Sequence, residues 1–391
     1  MDKVVFAILT STMFLSMMGF GFIMPLLPIY AKTMGASGIE LGMISAASSF
    51  TNLIFLPIMG TLSDRFSRKI FLCTGLLLLS IIMFSFNWAE NTTQLIILRA
   101  LQGFAMSMHL PVAQAYLGDL TPPGQEGRWM GYFNAILFAG VGAGPLFGGA
   151  LNDLFGINWV FLISGGAIMV SFLATFLFLK EQEHKEGRQR PKISFFSLRR
   201  SNILKSIIVL QIGSGIMIGV SMTFLPILAS VSLGLSTTLI GVILAVRTPV
   251  SMLQTLSGRF ADTHNRKVQI ASGTLVAAFS MVAITLCSNF WQLLLAQSML
   301  SFGVVLYQPA ASAYMVEEGR SFGMGATMSM FLMAMQAGAS VGPIAIGRVI
   351  DIYSTSSGFQ SGAAFNILGL GFFLWMMRRT PGRKQPAVAK V

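Results

Sequence analysis

Uncharged apolar runs of about 20 residues recur along the whole 391-residue chain, parted by short polar or glycine-containing breaks. As a helix, such a run crosses roughly 30 Å of hydrocarbon. The pattern predicts twelve membrane-spanning helices at 4–30, 39–62, 70–88, 93–116, 128–151, 157–179, 203–230, 236–257, 268–287, 291–315, 323–350 and 360–377. The first run starts at Val4 with no basic leader before it and no small-residue cleavage site, so it is expected to stay as a span.

The spans fall into two similar sets. Gly60-Thr-Leu-Ser-Asp64-Arg65-Phe-Ser-Arg68-Lys69 returns as Gly258-Arg-Phe-Ala-Asp262-Thr-His-Asn-Arg266-Lys267, an offset of 258 − 60 = 198. The same offset carries Pro28 to Pro226, Pro111 to Pro309, Tyr116 to Tyr314, Gly144-Pro145 to Gly342-Pro343 and Asp153 to Asp351. A duplicated and fused half explains matches spread so widely. The expected organisation is a six-helix bundle over 1–180, a polar linker over 181–202, a second bundle over 203–380 and a disordered tail over 381–391. A short amphipathic surface helix is expected around Ile193–Arg199. Six spans per half make the repeats parallel, and in such proteins the cargo site lies between the halves near the bilayer midplane.

Composition agrees with a membrane protein: 54% of residues are hydrophobic and 10% charged, against about a quarter charged in a soluble protein. The net charge of +12 does not indicate nucleic acid, because its placement is topological. Twelve spans put both termini on one side, and 22 of the 26 Lys and Arg then fall on that side, the others being Lys32, Arg99, Arg247 and Arg348. The bias predicts cytoplasmic termini and a basic stripe facing anionic lipid headgroups. Cys73 and Cys287 lie inside predicted spans and read as packing residues, with no metal spacing anywhere. Asn91-Thr92-Thr93 reads as an ordinary polar loop.

Twelve spans, the parallel repeat and the Gly-x-Leu-x-Asp-Arg-x-x-Arg-Lys loop together resemble the major facilitator superfamily. The resemblance implies an all-α fold of two pseudo-symmetric six-helix bundles working by alternating access. It implies a cytoplasmic latch of Gly60, Asp64, Arg65, Arg68 and Lys69 with Asp119, repeated as Gly258, Asp262, Arg266 and Lys267 with Glu317. Where the family has glycine in the loop, this chain has Ser67 and Asn265, and a left-handed turn there suits Asn better than Ser. Gly140-Val-Gly-Ala-Gly144-Pro145-Leu-Phe-Gly148-Gly149 is similar to the fifth-span motif of drug–proton antiporters, which implies export. Leu98-Arg99-Ala-Leu-Gln102-Gly103 is similar to a fourth-span family motif.

At 100° per residue Arg99, Gln102, Gly103, Met106 and His109 fall on one stripe, a candidate cargo surface. The alternative is a packing arginine satisfied by carbonyls, and a neutral packing histidine. The repeat mates Gln297 and Tyr307, with Gln308, are chemically different, so the halves have specialised. Arg247 lies midway along span eight opposite Ser49 in the repeat, with Ser251 and Gln254 on its face. A buried arginine stays charged and offers a fork of donors for an anion. No carboxylate lies near a span centre: all fourteen acids sit in loops or near helix ends. The expected cavity is therefore positive, suited to an anionic or zwitterionic metabolite, siderophore or drug. A coupling proton would use His109 or the acids Glu40, Asp64 and Asp119. The expected protein is a monomeric proton-coupled exporter of a bacterial-type inner membrane, without cofactor or catalytic residues. An organic-anion importer and a transport-dead receptor are the competing readings. The three histidines form no nucleophile–base constellation, so no enzyme is expected.

Overall fold

The computed structural model describes residues 3–121, 125–179, 181, 201–263, 265–322 and 324–378, without the side chains of 3–4, 64–65, 126–128, 255, 262, 320–322 and 324–326. The linker and tail expectations, the surface helix, and the latch side chains of Asp64, Arg65 and Asp262 lie outside that description.

Every described element is helical. The order is α1 (Lys3–Ile23), α2 (Leu26–Thr33), α3 (Gly38–Arg65), α4 (Arg68–Ser85), α5 (Thr92–Leu120), α6 (Glu126–Phe155), α7 (Ile157–Phe178) and α8 (Asn202–Ile227). There follow α9 (Thr237–Ala245), α10 (Arg247–Met252), α11 (Gln254–Thr263), α12 (Arg266–Ile284), α13 (Phe290–Phe322), α14 (Met324–Ile352) and α15 (Thr355–Arg378). Eleven of the predicted spans are helices long and apolar enough to cross a membrane, and Thr237–Met252 is a shorter apolar stretch at the place of the twelfth. Several helices outrun their apolar cores: α13 continues to Phe322 and α15 begins at Thr355. Their backbone bonds are made within the helix, so the helix need not stop where the hydrocarbon does.

Two predicted spans are not single helices. The first breaks at Met24–Pro25, between α1 and α2. The eighth is three pieces, α9, α10 and α11. Pro249 has no N–H to give the Ala245 carbonyl and its ring crowds that oxygen, so the helix ends at Ala245 and restarts at Arg247.

The repeat offset is also locally broken. Ser37 and Ser236 are matching N-caps, an offset of 236 − 37 = 199. A π-turn over Leu228–Ser232, which takes in an extra residue, lies just before Ser236. The breaks in the eighth span restore 198 by Gly258. With the caps aligned Arg247 is opposite Ser48, not Ser49. Elsewhere 198 holds in detail: Asn91 accepts from the Gln94 N–H at 2.9 Å, and Asn289 from the Gln292 N–H at 3.0 Å.

The chain forms two compact units, Met1–Arg188 with Met222–Thr248 and Pro343–Asp351, and Gln189–Ser221 with Pro249–Gly342 and Ile352–Val391. In the first, α1 packs on α6 and α7, α3 on α5, and α4 on α5 and α7. A buried cluster including Met13, Met17, Leu72, Val112, Tyr116, Phe133 and Leu137 joins α1, α4, α5 and α6. In the second, α12 packs on α13 and α15. Cys73 and Cys287 are free thiols.

Candidate functional site

α3 carries Glu40 in its first turn and ends at Arg65, so the helices of the first unit have a basic end, near Arg68, and a far end, near Glu40, Asp153 and Asp351. The first unit joins elements of both sequence halves at the far end. Asp153, in the last turn of α6, caps α9. Its Oδ1 accepts from the Thr237 N–H at 3.1 Å and the Thr237 hydroxyl at 2.7 Å. Its Oδ2 accepts from the Thr238 N–H at 2.8 Å and the Thr238 hydroxyl at 2.5 Å. Asp351, in the last turn of α14, does the same for α3, accepting from the Gly38 N–H at 2.5 Å and the Ile39 N–H at 3.0 Å. The first N–H groups of a helix have no partner inside it and carry partial positive charge, so each carboxylate satisfies two orphan donors and a dipole. Glu40 completes a capping box with Ser37 and accepts from the Thr92 hydroxyl at 2.6 Å, tying α3 to α5. The repeat relating Asp153 to Asp351 is visible in the sequence; their capping is not, because their helix N-termini lie 84 and 313 residues away in the chain.

The glycine motif of α6 has two faces. Gly140, Gly144 and Gly148 lie against α1, where an added methyl would overlap Phe14, Gly21 and Phe22 backbone atoms. Gly142, Pro145 and Gly149 face α9 and α10: methyls at Gly142 and Gly149 would meet Thr248 and the Thr237 carbonyl, and one at Gly241 would meet the Pro145 carbonyl. In the repeat, Gly42 stands in the same relation to Pro343. Small residues thus let the capped helices touch along their backbones.

The fourth-span stripe divides by partner. Arg99 donates from Nε to the Ile44 carbonyl at 3.1 Å and from Nη1 to Gln102 Oε1 at 2.6 Å, and no carboxylate is among its partners. Gln102 is buried, with Nε2 4.0 Å from Met83 Sδ. Met106 is half-buried against the α1–α4–α5–α6 cluster. His109 is fully buried and turns to α1, with Nε2 3.1 Å from Ser16 Oγ. Ser16 was not singled out from the sequence; one hydroxyl in an apolar run carries no signal by itself.

Arg247 is half-buried at the break before α10, and Gln254 is exposed at the start of α11. On α13, Gln297 and Tyr307 are buried and Gln308 half-buried. Gln297 Oε1 has no hydrogen-bond partner among the described residues.

At the basic ends, Arg68 Nε lies 2.6 Å from Asp119 Oδ2. The repeat has the same pair, Arg266 Nη1 with Glu317 Oε1, and Arg266 also donates from Nε to the Ala261 carbonyl at 3.0 Å and lies over the Tyr314 ring. Lys69 stands 5.6 Å over the Phe176 ring, and Lys267 Nζ donates to the Met377 carbonyl at 3.4 Å. Ser67 and Asn265 are N-caps with φ of −87° and −71°, so neither adopts the expected left-handed turn. They differ instead in capping: Asn265 accepts from the Lys267 N–H at 3.0 Å, and Ser67 makes no side-chain cap bond. Nothing lies within 4 Å of a methyl at Gly258, so close approach does not require that glycine here.

A family model described as Major Facilitator Superfamily matches residues 9–247 and again 207–390. The chain is 25% identical over 376 residues to an uncharacterised MFS-type transporter of Methanocaldococcus jannaschii, covering 94% of this chain and 96% of the relative. It is 22% identical over 358 residues to the quinolone resistance protein NorA of Staphylococcus aureus, covering 90% and 91%. Its fold is similar to the crystal structure of an inward-facing bacterial homologue of the human lysosomal transporter Spinster, with a TM-score of 0.79, 16% identity and coverage of 96% and 97%.

Proposed function

The chain belongs to the major facilitator superfamily, a multi-pass membrane transporter and not an enzyme, and from that premise we propose a proton-coupled exporter of small anionic or zwitterionic molecules. The observation that carries the charge preference is Arg99. Its guanidinium sits seven residues inside α5, and its hydrogen-bond partners are a carbonyl and an amide, so its charge is not neutralised within its own contacts. An arginine within a membrane span costs several kcal/mol, on the order of 2.5–3.5 on insertion scales, unless paired or facing water. With no described acid at a span centre, the interior of the protein is positive and favours a carboxylate-bearing cargo. Arg247 adds a second guanidinium in the eighth span, where the repeat has serine, and is assigned to cargo recognition. Gln102, Met106 and His109 in the first unit, and Gln254, Gln297, Tyr307 and Gln308 in the second, are the other residues proposed to bind cargo.

Export is supported by the fifth-span glycine motif and by the likeness to NorA. The basic loops support a reading with both termini in the cytoplasm of a bacterial-type inner membrane, in which the Arg68–Asp119 and Arg266–Glu317 pairs brace the cytoplasmic ends of the two halves. The protein is read as a monomer held in contact with anionic lipids.

The test is flux in vesicles of purified protein with an imposed pH gradient, using norfloxacin as zwitterion, carboxyfluorescein as anion and ethidium as cation. Gradient-driven movement of the first two is expected. Arg247→Gln loses most of it, and Arg247→Lys recovers part, because the two-pronged fork is gone. Transport confined to ethidium overturns the cargo reading.

A further inference from the structure

His109 is a titratable side chain that the structure buries completely beside a polar partner in the middle of the first half. It lies on α5 at 0% exposure, 109 − 99 = 10 residues from Arg99 and 119 − 109 = 10 from Asp119, about 15 Å from each along the helix.

Its hydrogen bonding fixes the tautomer. Ser16 has one hydroxyl hydrogen, and its Oγ is 3.1 Å from the Met13 carbonyl, an acceptor only. With that hydrogen given to Met13, Ser16 Oγ accepts from His109 Nε2–H at 3.1 Å. Nδ1 is then the bare nitrogen. It is buried, and no partner for it exists among the described residues. The opposite tautomer would leave a buried N–H with no acceptor, and it would also forfeit the Ser16–Met13 bond. A buried lone pair with no donor costs about 1–3 kcal/mol, which a donor reaching it would return.

Among the described side chains, the charged groups of the packed helices lie at the helix ends. Gly75 of α4 lies against the His109 backbone and Ser16 of α1 against its ring. The neighbouring buried cluster, which takes in Val112 and Ala113 of the same helix, is apolar, with Met13 and Met17 from α1, Leu72 from α4, and Phe133 and Leu137 from α6. Among described side chains α1 and α7 hold no charged group. Those of α4 are Arg68 and Lys69 at its basic end, that of α6 is Asp153 at its far end, and α3 adds Glu40 at its far end. The other titratable groups of the neighbourhood are the buried Cys73 thiol and Tyr116 phenol. Among the described side chains of these helices, no carboxylate lies at this depth.

We propose that His109 carries the exchanged proton: Nδ1 takes up one proton on one side of the membrane and releases it on the other, while Ser16 holds Nε2–H throughout. This rests on the proton-coupled reading above. The step changes one N–H bond and no other, and needs no further reactant.

Two measurements test it. In the first, His184 and His264 are replaced by Asn, leaving one histidine, whose imidazole is labelled with ¹⁵N and observed by NMR in lipid nanodiscs. The expected signature is Nε2–H with bare Nδ1 at high pH and Nδ1 protonation as the pH falls, and Ser16→Ala abolishes the tautomer preference while Ser16→Thr retains it. A resting Nδ1–H tautomer, or an imidazole that stays neutral across the pH range in which transport changes, overturns the assignment. The second compares norfloxacin and carboxyfluorescein flux with and without a pH gradient in vesicles. The ratio is well above one for the native protein and falls to about one in His109→Asn and His109→Gln. A ratio that stays high in these variants refutes His109 as the carrier while leaving proton coupling intact. A native ratio of one refutes proton coupling itself, and this assignment with it.

Discussion

Arg99 shows how a single residue can be both structural and electrostatic. Its Nε holds the Ile44 carbonyl of α3 while its Nη1 holds Gln102 on its own helix, so it fastens α3 to α5 and still keeps its charge. These two roles separate by substitution. Arg99→Gln removes the charge and the reach to Ile44, and the melting temperature and anion flux should both fall, with a stability loss of about 1–3 kcal/mol for the bonds left unmade. Arg99→Lys keeps the charge on a point donor that cannot serve both partners at once. It should melt lower than the native protein yet move carboxyfluorescein per folded molecule far better than Arg99→Gln. Equal flux in Lys, Gln and native proteins would reduce Arg99 to packing. The sequence made the Arg99–Gln102 pairing readable, because residues three apart share a helix face. It did not reveal that His109 leaves that face for Ser16, since helical periodicity says which residues share an arc but not which neighbouring helix the arc meets.

At the scale of elements the chain was legible where hydrophobic pattern decides and illegible where backbone chemistry does. Eleven of the twelve expected spans follow from apolar length alone. The break in the eighth does not, because Ala245, Val246 and Arg247 read as a continuous run until the missing N–H of Pro249 is counted against the Ala245 carbonyl. The π-turn at Leu228–Ser232 likewise has no apolar signature, and it is what shifts the offset from 198 to 199 at Ser236. The break puts Arg247 at the first position of a new helix. Pro249→Ala restores the donor and should fuse α9 with α10. The expected result is a higher melting temperature, by the equivalent of about 1–3 kcal/mol given proline's cost inside a helix. Transport should be slower, since a bending point is lost. A variant that melts at the native temperature would show that the surrounding helices, not Pro249, impose the break.

Across the whole molecule, contacts fall into two kinds, and only one kind bears on alternating access. Arg68–Asp119 joins α4 to α5, and Arg266–Glu317 joins α12 to α13, each inside one half of the sequence. Removing either weakens a bundle without favouring one arrangement of the halves over another. Asp153 and Asp351 instead tie α6 to α9 and α14 to α3, from one half to the other, at the end of the helices away from the basic loops. Their carboxylates satisfy helix N-termini only while those ends are together. Each cap of this type is worth about 1 kcal/mol. Asp153→Ala should therefore shift the equilibrium toward separated far ends by roughly 5-fold, Asp351→Ala by a similar factor, and the double variant by roughly 25-fold, because free energies bearing on one two-state equilibrium add. Asp→Asn keeps a capping oxygen and loses the charge, so its shift should be smaller. Spin labels at the far ends of α6 and α9, and of α14 and α3, read the populations directly as distance distributions. The same labels should report no shift in Asp119→Ala. If the far ends stay together in the double alanine variant, the glycine contacts of Gly42 with Pro343 and Gly241 with Pro145 hold them without the carboxylates, and the caps contribute only to local helix stability.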